Sequence, residues 1–172
     1  MTEDLPVSGE QLMDRMKGWG IAFDLYHHAP VFTVEESAPL KTNIPGTHCR
    51  NLFLRDKKER MFLVVAANET ALDLKKLQKV LGCDRLSFGS AERLWRYLGV
   101  RPGSVCPFAV INDTGNKVQI ILDETMMGAA IVNYHPMENH MTVGLSPGAL
   151  LQFMRACGHD PRVINLADAA PD

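Results

Sequence analysis

Two periods of apolar and polar residues alternate along this chain, and the switches between them mark out its elements. Leu12, Met16 and Trp19 recur at helical spacing. Ser8-Gly9-Glu10-Gln11 has the form of a capping box ahead of them, and Gly18 or Gly20 closes the run. Residues 21–27 alternate like a half-buried strand that Ala29-Pro30 stops. Thr33-Val34-Glu35-Glu36 is a second helix start, with Thr33 as cap, and this short helix is predicted to end before Pro39. The turn signal Pro45-Gly46 opens a strand centred on Leu52-Phe53-Leu54. The charged turn Asp56-Lys57-Lys58-Glu59-Arg60 returns it as Met61-Phe62-Leu63-Val64-Val65-Ala66, apolar throughout and so predicted to lie inside a sheet with both faces covered.

In the second half, Thr70 is the expected cap of a helix running to Leu81, with Leu74, Leu77 and Leu81 on one face, Lys75, Lys76 and Lys79 on the other, and Gly82 past its end. Ser90 opens another, with Leu94 and Leu98 inward and Gly99 closing it. Pro102, Gly103 and Pro107 exclude regular structure from 101–107. Phe108-Ala109-Val110-Ile111 and Val118-Gln119-Ile120-Ile121-Leu122 read as strands joined by a hairpin turn over 112–117. A helical turn over 123–128, strands at 131–135 and 141–145, a helix opened by Ser146-Pro147 and ended by Gly158, and a short strand at Val163-Ile164 complete the pattern. Hairpins mixed with helices predict an α+β domain with a mixed sheet rather than a doubly wound parallel one.

At 172 residues the chain is expected to form one domain, 1–172, with a sizeable core. No apolar run reaches the ~18 residues of a membrane helix, and the acidic start lacks the form of a secretory signal, so a cytoplasmic location is expected. Cys49, Cys83, Cys106 and Cys157 form no CxxC pair and read as reduced, packed thiols. Neither a Gly-rich phosphate loop nor a GxSxG or HExxH motif is present. The net charge of −2 divides unevenly: residues 50–101 carry twelve Lys or Arg against six Asp or Glu. A basic middle on an acidic chain suits either an anionic partner met on one face or a solvated surface of balanced pairs.

Candidate chemistry gathers at His48-Cys49-Arg50-Asn51, just ahead of the apolar strand centre. Alternation puts His48, Arg50 and Leu52 on one face and Cys49, Asn51 and Phe53 on the other. A cation and a carboxamide at a strand mouth suit a phosphate and a polar backbone group.

Three segments in this order are more specific: His48-Cys49-Arg50-Asn51-Leu52-Phe53-Leu54-Arg55-Asp56, Gly103-Ser104-Val105-Cys106-Pro107-Phe108, and Asn133-Tyr134-His135-Pro136-Met137-Glu138-Asn139 with Thr142. His28-Ala29-Pro30-Val31 with Glu35-Glu36, and Asp73-Leu74-Lys75-Lys76-Leu77, support them. Together, from about Phe23 to Ile164, they resemble the YbaK / prolyl-tRNA-synthetase-associated editing domain family, and within it the free-standing trans-editing group, ProXp (PrdX-like). The resemblance implies a curved mixed β-sheet surrounded by helices. It implies hydrolysis of the ester joining a wrong amino acid to transfer RNA, most often alanine on the proline transfer RNA, with cysteine, serine, threonine or 2-aminobutyrate handled by related members. It implies no metal and no cofactor, a mischarged transfer RNA as partner with prolyl-tRNA synthetase as a possible second one, and a water helped by the terminal ribose hydroxyl and by backbone groups of the GxxxP loop.

An activated ester needs a placed water, a held terminal adenosine and a stabilised oxyanion rather than a strong nucleophile. Arg50, Asn51, Gly103, His135 and Asn139 are the catalytic candidates. Arg50 would bind a phosphate or ribose oxygen, the two asparagines the ribose hydroxyls and α-amino group, Gly103 would open the loop backbone to the ligand, and His135 would orient a water or ribose hydroxyl. Substrate-binding candidates are His48, Ser104, Val105, Pro107 and Thr142, with Val31, Phe53 and Met137 as apolar walls. Lys57, Lys58, Lys75, Lys76 and Lys79 are candidate contacts to transfer RNA, or a plain solvated surface. His48, His135 and Asn139 also have purely structural readings as turn or strand-end residues. In the family the position of Arg50 is usually lysine, and the two are not interchangeable at a close anion contact. The alternatives are therefore altered substrate choice or a binding module of the same fold without turnover. His135 with His140 as a metal pair lacks a third ligand at standard spacing, and Cys106 beside Pro107 reads as a packed thiol rather than a nucleophile.

Overall fold

In the computed structural model residues 4–31 and 34–172 are described. Among the described residues eight strands form a single mixed sheet: β1 (Asp24–His27), β2 (Thr47–Arg55), β3 (Met61–Ala67), β4 (Ser87–Phe88), β5 (Val118–Asp123), β6 (Val132–Tyr134), β7 (Met141–Leu145) and β8 (Arg162–Ile164). Their order is β1-β7-β6-β2-β3-β5-β8, with β4 also on β2. The hairpin β2–β3 is its centre, and β3 is buried along its whole length between antiparallel β2 and parallel β5, as its unbroken apolar run requires. Six α-helices among the described residues complete the α+β fold: α1 (Gly9–Gly18), α2 (Val34–Asn43), α3 (Leu74–Leu81), α4 (Ala91–Leu98), α5 (Glu124–Met127) and α6 (Pro147–Ala156). None of the described helices is long and apolar enough to cross a membrane.

The sheet separates two cores. Phe53, Leu63, Val65, Leu122, Val132, Tyr134 and Val143 turn to the larger one, beneath α1, α4 and α6. Leu54, Phe62, Val64, Ala66 and Ile121 turn to the smaller, beneath α3. On its outer edge β2 meets β6 only at Thr47 and His48, and β4 only at Leu54 and Arg55. Between those pairings residues 49–53 carry no strand on that side among the described residues, and the two halves of the sheet part. The candidate functional site grows from this gap.

Most caps fall where the sequence puts them: the Ser8–Gln11 capping box, Ser90, Ser146, and left-handed Gly82 and Gly99. The predicted cap Thr33 lies outside the described residues. Three expectations are corrected. α2 does not end before Pro39 but runs through it to Asn43; the proline removes one N–H, and Ile44, buried at the helix exit, still donates to the Leu40 carbonyl at 2.9 Å. α3 is capped by Asp73, whose carboxylate accepts from Lys75 and Lys76, because the Thr70 hydroxyl donates to Asp123 instead. The apolar run after Cys106 is a 3-10 helix, Pro107–Asn112, not a strand. Pro107 cannot donate to a sheet ladder and suits the first position of a helical turn. The turn after it therefore leads from that helix into β5, with buried Asp113 accepting from the Lys117 and Val118 amides.

The β2–β3 turn is built on Asp56, which is fully buried. It accepts from the Lys58, Arg60 and Asp84 amides and from the Arg60 guanidinium at 2.8 Å. Burial alone would raise its pKa; the Arg60 and Asp84 amides and the Arg60 guanidinium outweigh it and hold the carboxyl below its usual range. A depressed carboxyl gives stability that is present above its unfolded pKa and lost as pH falls through the folded one. Asp56→Asn is expected to cost about 1–3 kcal/mol at pH 7 and less at pH 3, read from denaturant midpoints; an equal loss at both would refute this account.

Candidate functional site

A cavity of about 180 Å³ occupies the gap. β2 contributes His48, Cys49 and Asn51; β6 and the residue after it contribute Asn133, Tyr134 and His135; β7 contributes Thr142. Asn68, just past β3, and Ser37 and Leu40 of α2 close it. His48 and Asn133 are register partners in parallel strands and so share a face. Cys49 and Tyr134, one residue along, belong to the opposite face and pack on the larger core. The cavity thus passes through the sheet where the β2 ladder stops.

The histidines have fixed hydrogens, because a carbonyl can only accept. Nδ1 of His135 lies 2.8 Å from the Met141 carbonyl and must donate, which leaves Nε2 as the accepting nitrogen of the neutral ring. Burial lowers the His135 pKa, opposed by the Met141 hydrogen bond and reinforced by His28 and His48. His135 is therefore neutral at pH 7 and available as an acceptor. His48 donates from Nε2 to the Ile44 carbonyl at 3.0 Å, so it also ties the end of α2 to β2. The Thr142 hydroxyl lies 2.8 Å from Nε2 of His28.

The amides are unevenly satisfied. Asn133 donates to the carbonyls of Pro45 at 3.0 Å and Thr47 at 3.4 Å, and its Oδ1 is buried without a partner. Asn51 Oδ1 is likewise buried and unpartnered. A Cβ on Gly144, the register partner of Asn133, would stand 2.8 Å from that Oδ1, so only glycine leaves the amide its place. Burial pushes the Cys49 thiol up to about 12 and the Cys106 thiol to about 11, so both are protonated at neutral pH and neither is a ready nucleophile.

Arg50 lines neither this cavity nor the larger one beside it. Its guanidinium donates to the Thr70 carbonyl, and its Nε is buried without a partner. It braces the β3–α3 turn that carries Asn68. The larger cavity, about 600 Å³, is lined by Ser104 of the glycine loop and by Met137, Glu138, Asn139 and His140 of the segment after β6, which also carries His135. Gly103 has φ +89° with open space around its Cα, and Ser104 N–H donates to the Arg101 carbonyl, which removes that amide from any oxyanion role. Met137 is buried, also at positive φ, with its sulfur 3.8 Å from that of Cys106. Gly9 N–H at the start of α1 donates to Glu138 at 2.9 Å and holds the segment in place.

The structure thus joins His48, Asn51, His135 and Thr142 in one cavity and Ser104, Met137 and Asn139 in its neighbour. The remaining wall candidates sit elsewhere. Val31 is zipped to Asn139, whose Nδ2 donates to its carbonyl at 3.1 Å. Phe53 is core, covered by Gly89, and Val105 and Pro107 pack inward. Lys57 and Lys58 lie beyond the far end of β2, roughly 23 Å from His48 at a strand's rise of ~3.3 Å per residue. Lys75 and Lys79 are exposed on α3, while Lys76 donates to the Ala170 carbonyl and Asp172. His135 and His140 line different cavities, and His140 pairs with Glu138 at 3.4 Å. His28, Asn68 and Asn133 join the site without having been candidates. His28 and Asn133 do stand in the segments that carry the family resemblance, and that was the signal available for them.

The aminoacyl-tRNA editing domain profile matches residues 28–153. Prolyl-tRNA editing protein ProX of Acetoanaerobium sticklandii is 38% identical over 155 residues, covering 90% of this chain and 93% of that protein. Prolyl-tRNA synthetase associated domain-containing protein 1 of Danio rerio is 35% identical over 158 residues, covering 91% and 86%. Among solved structures, the hypothetical protein APE2540 superposes with a TM-score of 0.70 at 17% identity, covering 90% of this chain and 97% of that one, which is a likeness of fold.

Proposed function

The chain belongs to the aminoacyl-tRNA editing domain family, and we propose that its substrate is a transfer RNA of the proline system carrying a wrong, small amino acid, alanine before serine, threonine or 2-aminobutyrate. The activity is that of an aminoacyl-tRNA deacylase acting in trans. Water adds to the ester carbonyl, the bond to the ribose oxygen breaks, and that oxygen takes up a proton, releasing free amino acid and intact transfer RNA.

The observation that carries the reading is His135, with Nδ1 committed to the Met141 carbonyl and Nε2 left to accept beside a cavity lined by Asn51 and Asn133. In this reading Nε2 takes the hydrogen bond of the attacking water or of the neighbouring ribose hydroxyl, and orients it on the ester. The small cavity, about 180 Å³, is well below the ~300–1,000 Å³ of drug-sized ligand sites, so it takes the aminoacyl group. The larger one, with Ser104 and Asn139, takes the terminal nucleotide. Rejection of proline is assigned to the shape of the small cavity's walls, a steric discrimination stronger than the ~1–3 kcal/mol available per methylene.

The test is a panel of alanyl-, seryl-, threonyl-, 2-aminobutyryl- and prolyl-tRNA(Pro) with alanyl-tRNA(Ala). Alanyl-tRNA(Pro) is expected to lose its ester at least about tenfold faster than prolyl-tRNA(Pro). Failure to cleave any member removes the reading. Cleavage with another amino acid preferred overturns the substrate assignment alone. Prolyl-tRNA synthetase as a partner is checked in the same assay, by whether adding it changes the rate.

A further inference from the structure

His28 touches the site without lining its cavity, and in the neutral ring its hydrogen bonds place the hydrogens. Nδ1 is 2.8 Å from the Ala29 carbonyl, so Nδ1 donates. In the neutral ring Nε2 is then bare, and at 2.8 Å it accepts the hydrogen of the Thr142 hydroxyl. That hydroxyl has one hydrogen. What it presents to His135 Nδ1, 3.5 Å away, is a lone pair. The His135 Nδ1–H, already donating to Met141, is therefore met by acceptors on both sides. The two imidazoles also contact edge to face, with centroids 5.7 Å apart. His28 N–H donates to the His140 carbonyl at 3.0 Å, extending the β1–β7 pairing and fixing where the ring stands.

We propose that His28, acting through the Thr142 hydroxyl, is a positioning residue that reinforces the Met141 carbonyl in holding His135 in the Nδ1–H tautomer with Nε2 turned to the substrate. The proposal rests on the reading of His135 as the acceptor in ester hydrolysis. Without His28, the Thr142 hydroxyl is free to turn its hydrogen onto Nδ1 of His135. That arrangement competes with the Met141 carbonyl for Nδ1 and raises the share of the opposite tautomer, which puts an N–H where the water or ribose hydroxyl needs an acceptor. Thr142, a substrate-binding candidate by sequence, acts here through its neighbour: its one hydrogen goes to His28.

Long-range proton–nitrogen NMR of the imidazoles in the full chain tests the hydrogen assignment without any substrate. In their neutral forms both His28 and His135 are expected as Nδ1–H tautomers, and neutral His28 found with its hydrogen on Nε2 overturns the proposal. Kinetics test the consequence. Glutamine can place an oxygen where Nε2 stood and asparagine cannot reach. His28→Asn and Thr142→Val are expected to lower kcat by about tenfold or more with KM within about twofold, and His28→Gln to recover most of that loss. Equal activity of His28→Asn and His28→Gln overturns the proposal. Thr142→Ser, which keeps the hydroxyl, separates loss of the hydrogen bond from loss of packing: a Ser variant as slow as Val also counts against it. If the wild type cleaves no mischarged transfer RNA, the functional reading falls while the NMR still decides the tautomers.

Discussion

His135→Asn is expected to reduce kcat/KM for deacylation by about 10²–10⁴, the usual worth of a positioned acid–base group, while leaving the fold intact. Asparagine is the informative replacement because its Nδ2 can still donate to the Met141 carbonyl, as Nδ1 of His135 does at 2.8 Å, but it offers no counterpart of Nε2. Unfolding midpoints within about 1 kcal/mol of the parent together with a collapsed rate would separate chemistry from structure. The wild-type pH profile carries the same information. Burial, with His28 and His48 close by, lowers the His135 pKa below its ordinary value. The accepting form therefore persists through neutral pH, and activity falls only as acid protonates Nε2, on an acid limb displaced below that of an ordinary histidine. That limb should vanish in the residual activity of His135→Asn. A variant within twofold of the parent would take His135 out of the mechanism.

Much of the framework was legible in the sequence because local chemistry decides it. The Ser8 capping box, left-handed Gly82 and Gly99, Ser146-Pro147 and the unbroken run of β3 each carry their own signal. The errors share a cause. An apolar run after Pro107 has no periodicity to separate a buried strand from a buried 3-10 turn, and the missing proline N–H decided it. Thr70 and Asp73 are both good caps, and only the buried partner Asp123, more than fifty residues away, draws Thr70 off. The site divides in the same way. His135, Asn51 and Thr142 line the candidate cavity, and each stands in a segment that carries the family resemblance. Arg50 was expected at the ligand, but strand alternation cannot say how far a long side chain leans, and here it leans to Thr70. Asn133 enters because pairing with Gly144 and the turn at Pro45 aims its amide, which is a property of register rather than of neighbouring residues.

Asp123→Ala is expected to destabilise the protein by about 2–4 kcal/mol, since it strips several partners from a fully buried carboxylate at once. Asp123 accepts from Ala67 N–H at 3.1 Å, from the Thr70 hydroxyl and from Thr125 N–H at 3.1 Å, so it closes the end of β3 and caps α5 together. In a chain of this length such a loss lowers Tm by roughly 5–15 °C, measurable by calorimetry. The same turn carries Asn68 into the cavity and gives Arg50 its carbonyl partner at Thr70. Loosening it should therefore raise KM for a mischarged transfer RNA at temperatures where the variant is still folded. Asp123→Asn is the sharper comparison: its oxygen can still accept from one backbone amide, but its NH₂ then faces the other N–H, so a loss close to that of alanine is expected. If Asp123→Asn matched the parent in both Tm and KM, the β3–α3 turn would owe its position to the packing of Leu72 and Leu77 rather than to this carboxylate, and the bracing role given to Arg50 would fall with it.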